Sequence, residues 1–222
     1  MSTYMSRMMV PRKTSKVRIG DNLDGGYVLP SMSLEDCSIC VTYGLGHNIS
    51  FERHFEQMGM KLVGFDANTN GMPAWARTKS LSSYRDFMEI DDIKGHENIL
   101  LKMDIEGAEW NFIESMDAKH FSEKVHTFVF EMHIGYKPKY IPMTVLDKIF
   151  DSHHLVHIHA NNFGHVEGGI PFTTELTFLN KRSSGDLVLD KGFFPVRGLD
   201  FANNPHAPEI RISWLSQNQM LP

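Results

Sequence analysis

LLKMDIEGAEWNFI, residues 100–113, joins an apolar run to a helical pattern through two carboxylates and a glycine. Ile99, Leu100, Leu101 and Met103 read as a strand buried on both faces. Trp110, Phe112 and Ile113 fall on the buried side of the helix that follows. Asp104 and Glu106 stand where strand hands over to helix. A buried strand running into a helix predicts a parallel sheet covered on both faces. Ligands of such sheets sit beyond the C-terminal strand ends, near the point where the strand order reverses, so carboxylates there are expected to serve something outside the strand.

The pattern repeats outward from this block. Further strands are expected at 38–43, 61–65, 125–132, 154–159 and 173–180, with a weaker one near 78–83. The strand of the opening block spans 98–104. Helical periodicity appears at 50–58, 108–118 and 142–152, the last opened by Pro142 near its first turn. From about residue 185, glycines and prolines (Gly185, Gly192, Pro195, Gly198, Pro205, Pro208) predict an irregular tail over the domain surface.

At 222 residues and 41% hydrophobic, the chain is long enough for one α/β domain with a tail. The formal charge of -5 argues against a general nucleic-acid-binding surface. Residues 1–17 are the exception, a basic N-terminal arm in which Arg7, Arg12, Lys13 and Lys16 stand without an acid; it reads as a solvated terminus rather than a transit peptide or a phosphate-contacting arm. No apolar stretch approaches the roughly 20 residues of a membrane span. Cys37 and Cys40, the two cysteines, fall in a β-like run whose spacing points them to opposite faces, and read as buried residues rather than a redox or metal pair. Two cysteines without a signal peptide predict a reducing, cytoplasmic setting.

The C-terminal strand ends carry polar groups one after another. The first gives YGLGHNISFE (43–52), a glycine turn into a helix, and the second GFD (64–66), with Asp66 where a cofactor ribose would lie. Asp104 and Glu106 close the next, then Glu131 and His133, then His157, His159, Asn161 and Asn162. Alternate strand residues share a face, so Glu131 pairs with His133 and His157 with His159. Any one of these is an ordinary capped turn or satisfied core histidine; together they predict a site. A dinucleotide turn would need a third glycine where Ile49 stands, which disfavours NAD and FAD and suits S-adenosylmethionine.

The combination of YGLGHNISFE, GFDAN, LKMDIEGAEW, FVFEMH, HIHANN and TELTFLN, with DGGYV at 24–28, strongly resembles the FkbM-type family of S-adenosylmethionine-dependent methyltransferases. The resemblance runs over about residues 18–181 and departs from the family's common glycine turn at GLGHN. It implies a Rossmann-like class I methyltransferase domain over 18–222, including the tail, with a mostly parallel seven-stranded sheet, helices on both faces and an antiparallel last strand at 173–180. It further implies methyl transfer to a hydroxyl of a carbohydrate, on a glycan or a glycosylated metabolite. Cofactor contacts then fall on Gly44, Leu45, Gly46, Asn48, Ser50, Asp66 and Asp104. Asp24, Tyr27, Glu106, His159, Asn161 and Asn162 would line the acceptor pocket, although Asp24-Gly25-Gly26-Tyr27 is equally readable as a plain turn.

Methylating an alcohol requires removal of its proton. Two solutions stand open: Asp104, Glu131 and His133 ligate Mg2+ or Mn2+, or His133 is the base and the carboxylates orient it and the sugar. Helix-terminal Glu109 reads as a first-turn acid favoured by the helix dipole. The other classes are a methyltransferase-fold protein acting on nucleic acid or protein, and a catalytically silent binding protein.

Overall fold

Short strands buried at every position must be covered on both sides, and the side-chain alternation shows how. On β3 (Ile39–Tyr43), Val41 and Tyr43 face one core with Leu101, Met103, Phe128 and Phe130, while Cys40 faces a second with Leu100 and Val129. The computed structural model describes residues 9–79, 83–134, 143–167, 169–212 and 215. Its chain begins with a hairpin of β1 (Lys16–Ile19) and β2 (Tyr27–Pro30) and the short α1 (Ser33–Asp36), ahead of β3. Then come α2 (Ser50–Gln57), β4 (Lys61–Asp66), β5 (Ala76–Thr78), α3 (Tyr84–Met88) and β6 (Ile99–Met103). They are followed by α4 (Glu109–Ser115), α5 (Ala118–Lys124), β7 (Val125–His133), α6 (Asp147–Phe150) and β8 (His153–Ala160). A small ladder of β9 (Val166–Glu167) and β10 (Ile170–Pro171) precedes β11 (Thr173–Asn180) and α7 (Lys181–Ser184).

The seven-stranded sheet has the order β5-β4-β3-β6-β7-β11-β8. Every pairing is parallel except those of β11, which runs antiparallel to both β7 and β8. This order, with its single reversed strand, is the Rossmann-like arrangement of class I methyltransferases. The chain leaves β3 for β4 and β5 on one side and returns to β6 on the other, so the order reverses at β3 and β6, and the ligand crevice of such a sheet lies above their C-terminal ends. The register of β11 matters to the site, because Glu175 is paired with Glu131 of β7 on one side and His159 of β8 on the other.

Helix α2 and the hairpin cover the second face. Phe51 and Phe55, four residues apart on α2, are fully buried with ring centroids 5.1 Å apart, beside Ile19 and Leu29. Each buried aromatic of this kind is worth roughly 1.5–3 kcal/mol. Trp110, Phe112 and Ile113 of α4 and Phe121 of α5 cover the other face.

The strands stand within a residue or two of expectation, except that the weak one is β5 at 76–78; residues 80–82 lie outside the described residues. Pro142 and Arg7 lie outside them too; the expected 142–152 helix is a 3-10 turn (Met143–Leu146) leading into α6. The hairpin, α1, α3 and α5 were not legible as elements. Residues 9–17 are not a free arm: Met9 is buried, the Arg12 amide donates to Leu155 O at 2.7 Å, and Lys16 pairs with Asp190 at 3.0 Å. This contact covers β8, the sheet's edge strand. Cys37 and Cys40 do not face opposite ways, because β3 begins only at Ile39; both pack in the second core as free thiols. Burial pushes the Cys37 thiol up to about 12, which keeps it an inert thiol. No helix among the described residues is long and apolar enough to cross a membrane.

Candidate active site

The first βα turn explains its own glycine. Gly44 adopts φ +75°, and a Cβ there would lie 1.5 Å from the backbone oxygen of Asp104. Only glycine allows the end of β3 to lie so close to the end of β6, a contact closed by Asp104 N donating to Tyr43 O at 2.9 Å. Gly46 is also left-handed, at φ +59°, but opens onto empty space. At the end of β4, Asp66 Oδ2 accepts from the amides of Leu45 (2.9 Å) and Gly46 (3.2 Å), and Oδ1 from Asn68 (2.9 Å). Partial burial would raise the acid's pKa, but the amides of Asn68, Leu45, Gly46 and Ala67 outweigh it and hold it below its ordinary value. Asp66 is therefore ionised and presented at the crevice.

A cavity of about 340 Å3 opens here, lined by Tyr43, Gly44, Phe65, Asp66, Lys79 and Asp104, with Ala67, Ile105, Glu106 and Ala108 completing its wall. It lies at the C-terminal ends of β3, β4 and β6, the switch point, and its size falls in the range of small-molecule sites. Asn48 and Ser50 serve elsewhere. Asn48 donates to Asp21 Oδ2 and Asp24 O, and Ser50 Oγ accepts from the Asp21 amide, so both fasten the hairpin turn to the start of α2. Neither residue, both expected as cofactor contacts, lines the cavity. The turn itself is tightly built: a Cβ on Gly26 would lie 2.0 Å from Asp21 O.

Asp104 links this cavity to a second group of side chains. Its Oδ2 accepts from the Tyr27 hydroxyl at 3.1 Å, the DGGYV tyrosine, whose pKa burial and then Asp104 raise well above the ordinary value, so that it remains a donor. Beyond it lie Glu109 and His133, one ligand-type atom of each of the three lying within 4.8 Å of the others. Glu109 is the first-turn acid of α4, as expected. It is fully buried, and its Oε1 accepts from the Ile105 amide at 2.8 Å and lies 3.1 Å from His133 Nδ1. His133 Nε2 lies 3.5 Å from both Glu106 and Glu131, and Trp110 Nε1 fixes the histidine backbone through its carbonyl at 2.7 Å. Burial would lower the His133 pKa; Glu109, Asp104 and Glu106 raise it above the ordinary value. Glu106 reaches its place on a left-handed backbone, φ +52°, a conformation that costs a non-glycine residue on the order of 1 kcal/mol.

Of the expected trio of Asp104, Glu131 and His133, Asp104 and His133 group with Glu109, while Glu131 stays 3.5 Å from His133 Nε2. Glu131 instead accepts from Asn161 Nδ2 at 2.6 Å, and burial, then Asp104 and Glu175, push its pKa well above the carboxylate range. The β11 register continues this row. Glu175 Oε2 lies 3.0 Å from His159 Nδ1, Glu209 lies 3.2 Å from Nε2, and Asn203 donates to Glu175 and to Asp24 Oδ1. His157 is held at 2.7 Å by Asp200. Asn162 is a structural anchor, donating to the backbone carbonyls of Asn204, Ala207 and Pro208. The tail therefore closes over the ends of β8 and β11. Sequence reasoning gave no role to buried Lys102, and none to Glu109 beyond that of a first-turn acid, because a strand lysine and a first-turn glutamate carry no outward signal.

No family model and no curated protein matches the chain. Among solved structures it is similar to the magnesium protoporphyrin IX methyltransferase of Synechocystis PCC 6803 with bound SAM, at TM-score 0.36 and 9% identity over 66% of this chain and 71% of that one. It is also similar to a structure described as converting a disulfide bond into a thioacetal group during echinomycin biosynthesis, at TM-score 0.35 and 10% identity over 64% and 76%. A third is bluetongue virus VP4, described as a multifunctional RNA-capping production line, at TM-score 0.37 and 10% identity over 95% of this chain but 34% of VP4. These similarities are low, and the class I methyltransferase fold rests on the strand order and its reversed strand.

Proposed function

We propose that the chain is an S-adenosylmethionine-dependent O-methyltransferase acting on a hydroxyl of a carbohydrate. The observation that carries this reading is the cavity of about 340 Å3 at the switch point, with a glycine turn on one side and an ionised Asp66 on the other. The donor set suits the cofactor: Asp66 would accept from ribose hydroxyls, Phe65, Ala67 and Ile105 supply apolar wall, and Gly44 lets the backbone approach. Bound there, the cofactor would supply an electrophilic methyl group, and the chain's own residues would orient the acceptor hydroxyl and take up its proton.

His133 would be the base. With Glu109 accepting from Nδ1–H, Nε2 would be the atom that takes the proton once the imidazole is neutral, the orientation that carboxylate–histidine pairs provide. Asp104, held by Tyr27, and Glu106 would accept from neighbouring acceptor hydroxyls. A polyhydroxylated acceptor suits this row of carboxylates and amides, whereas a phosphate backbone would be repelled by it. A second reading has one observation in its favour: Glu109 Oε2 is buried without a hydrogen-bond partner, as a carboxylate left open to a divalent cation shared with Asp104 and His133 would be. Such a cation would stabilise the developing alkoxide.

The test is calorimetric titration with S-adenosylmethionine, followed by transfer of labelled methyl to a panel of glycans. Saturable one-site binding and labelled glycan are expected. Absence of cofactor binding would refute the proposal, and labelling of protein or RNA in place of glycan would overturn the acceptor class.

A further inference from the structure

Lys102, on β6, is 4% exposed and lies under the site rather than in it. Its Nζ donates to Gly44 O at 2.6 Å. In a trans peptide the C=O and the following N–H point to opposite edges. With Gly44 O turned towards Lys102, the Leu45 amide faces away, and that amide donates to Asp66 Oδ2 at 2.9 Å. A strand lysine and a strand-end aspartate thus hold the two edges of one peptide. The same ammonium lies 3.9 Å from Asp104 Oδ2 and 3.9 Å from Glu52 Oε1. It also lies 5.3 Å from the Tyr27 ring centroid, and Tyr27 donates to that Asp104 oxygen.

We propose that Lys102 is a positioning residue whose ammonium fixes the Gly44–Leu45 peptide of the cofactor turn and, from the same point, the Asp104 carboxylate. This rests on the proposed function in assigning the turn to a cofactor. Packing alone does not ask for a lysine here: methionine fills a similar volume without desolvating a charge, and buried ion pairs are often neutral for stability or worse. Burial works against the charged form, but Glu52, Asp104 and Glu131 overcome it and raise the lysine's pKa, so the ammonium persists.

The test compares the wild type with Lys102→Met and with the double variant Lys102→Met/Glu52→Gln, which leaves no uncompensated buried carboxylate on α2 if the single variant fails to fold. Amide hydrogen exchange at Leu45 and Gly46 and calorimetric affinity for S-adenosylhomocysteine are the readouts. Loss of a charged donor predicts exchange at those two amides faster by about tenfold or more, and affinity weaker by about tenfold, with Val41 and Leu101 still protected. Unchanged exchange at Leu45 and Gly46, or equal acceleration across the sheet, overturns the proposal, as does a loosened turn with undiminished affinity. Failure of the wild type to bind the ligand refutes the functional reading instead, and the exchange data then decide separately whether Lys102 holds the turn.

Discussion

Alanine at Gly44 and alanine at Gly46 look equivalent in sequence and have different consequences in the structure. Both positions are left-handed, at φ +75° and +59°, and placing a side chain there costs about 1–2 kcal/mol. At Gly46 the new methyl group meets nothing within 4 Å, so the backbone term is the whole cost. At Gly44 it would lie 1.5 Å from Asp104 O and 2.6 Å from Asp104 C, neither of which can rotate away. The ends of β3 and β6 must separate, breaking the Asp104 N to Tyr43 O bond. Overpacking adds about 1–3 kcal/mol and the lost bond about 1 kcal/mol, for a total of about 3–6 kcal/mol. In a chain of this size that total corresponds to about 6–24 °C in Tm, against about 2–8 °C for Gly46→Ala. Chemical denaturation and thermal melting of the two variants measure it, with cofactor titration alongside; Gly44→Ala is expected to lose cofactor affinity and Gly46→Ala to keep most of it. Equal melting shifts in the two variants would refute the claim that the approach of Asp104 dictates the glycine.

His159 gives a pH prediction. Burial would lower its pKa, but Glu175, Glu209 and Asp200 push it up to about 10. A pKa raised above the unfolded value of about 6.5 contributes stability that is fully present below that value and is lost as pH climbs towards 10. Denaturant unfolding should therefore show the gap between wild type and His159→Gln widest at pH 6 and closing by pH 10; a gap that grows with pH would contradict the charged pairing. For the metal reading, Glu109→Gln should abolish Mn2+ binding measured by titration, while Glu131→Gln, whose carboxylate touches His133 at 3.5 Å without belonging to the Asp104–Glu109–His133 group, should weaken it less. Full turnover by protein shown by elemental analysis to be metal-free would leave His133 as the base.

The sequence by itself determined the layers. Continuous apolar runs alternating with helical periodicity predict a parallel sheet covered on both faces, and the structure bears out the layers, with Val41 and Cys40 of β3 facing opposite cores. It also located the site's edge, because strand ends and turns are local: Gly44, Asp66, Asp104 and His133 stand at the ends that the runs define. What it could not settle were choices made between segments far apart in the chain. Asn48 and Ser50 follow a glycine turn as cofactor contacts would, but the hairpin packs against them and takes their hydrogen bonds. Glu109 and Glu131 are equally acidic on paper; the approach of α4 to β7 sets Glu109 beside Nδ1 of His133, and the β11 register turns Glu131 into a row with Glu175 and His159. Lys102 reads as an ordinary strand lysine until β3 is laid parallel to it and the carbonyl of Gly44 arrives at 2.6 Å. Burial and periodicity are written in neighbouring residues, whereas the partner of a buried charge is chosen by tertiary packing, and only the folded chain names it.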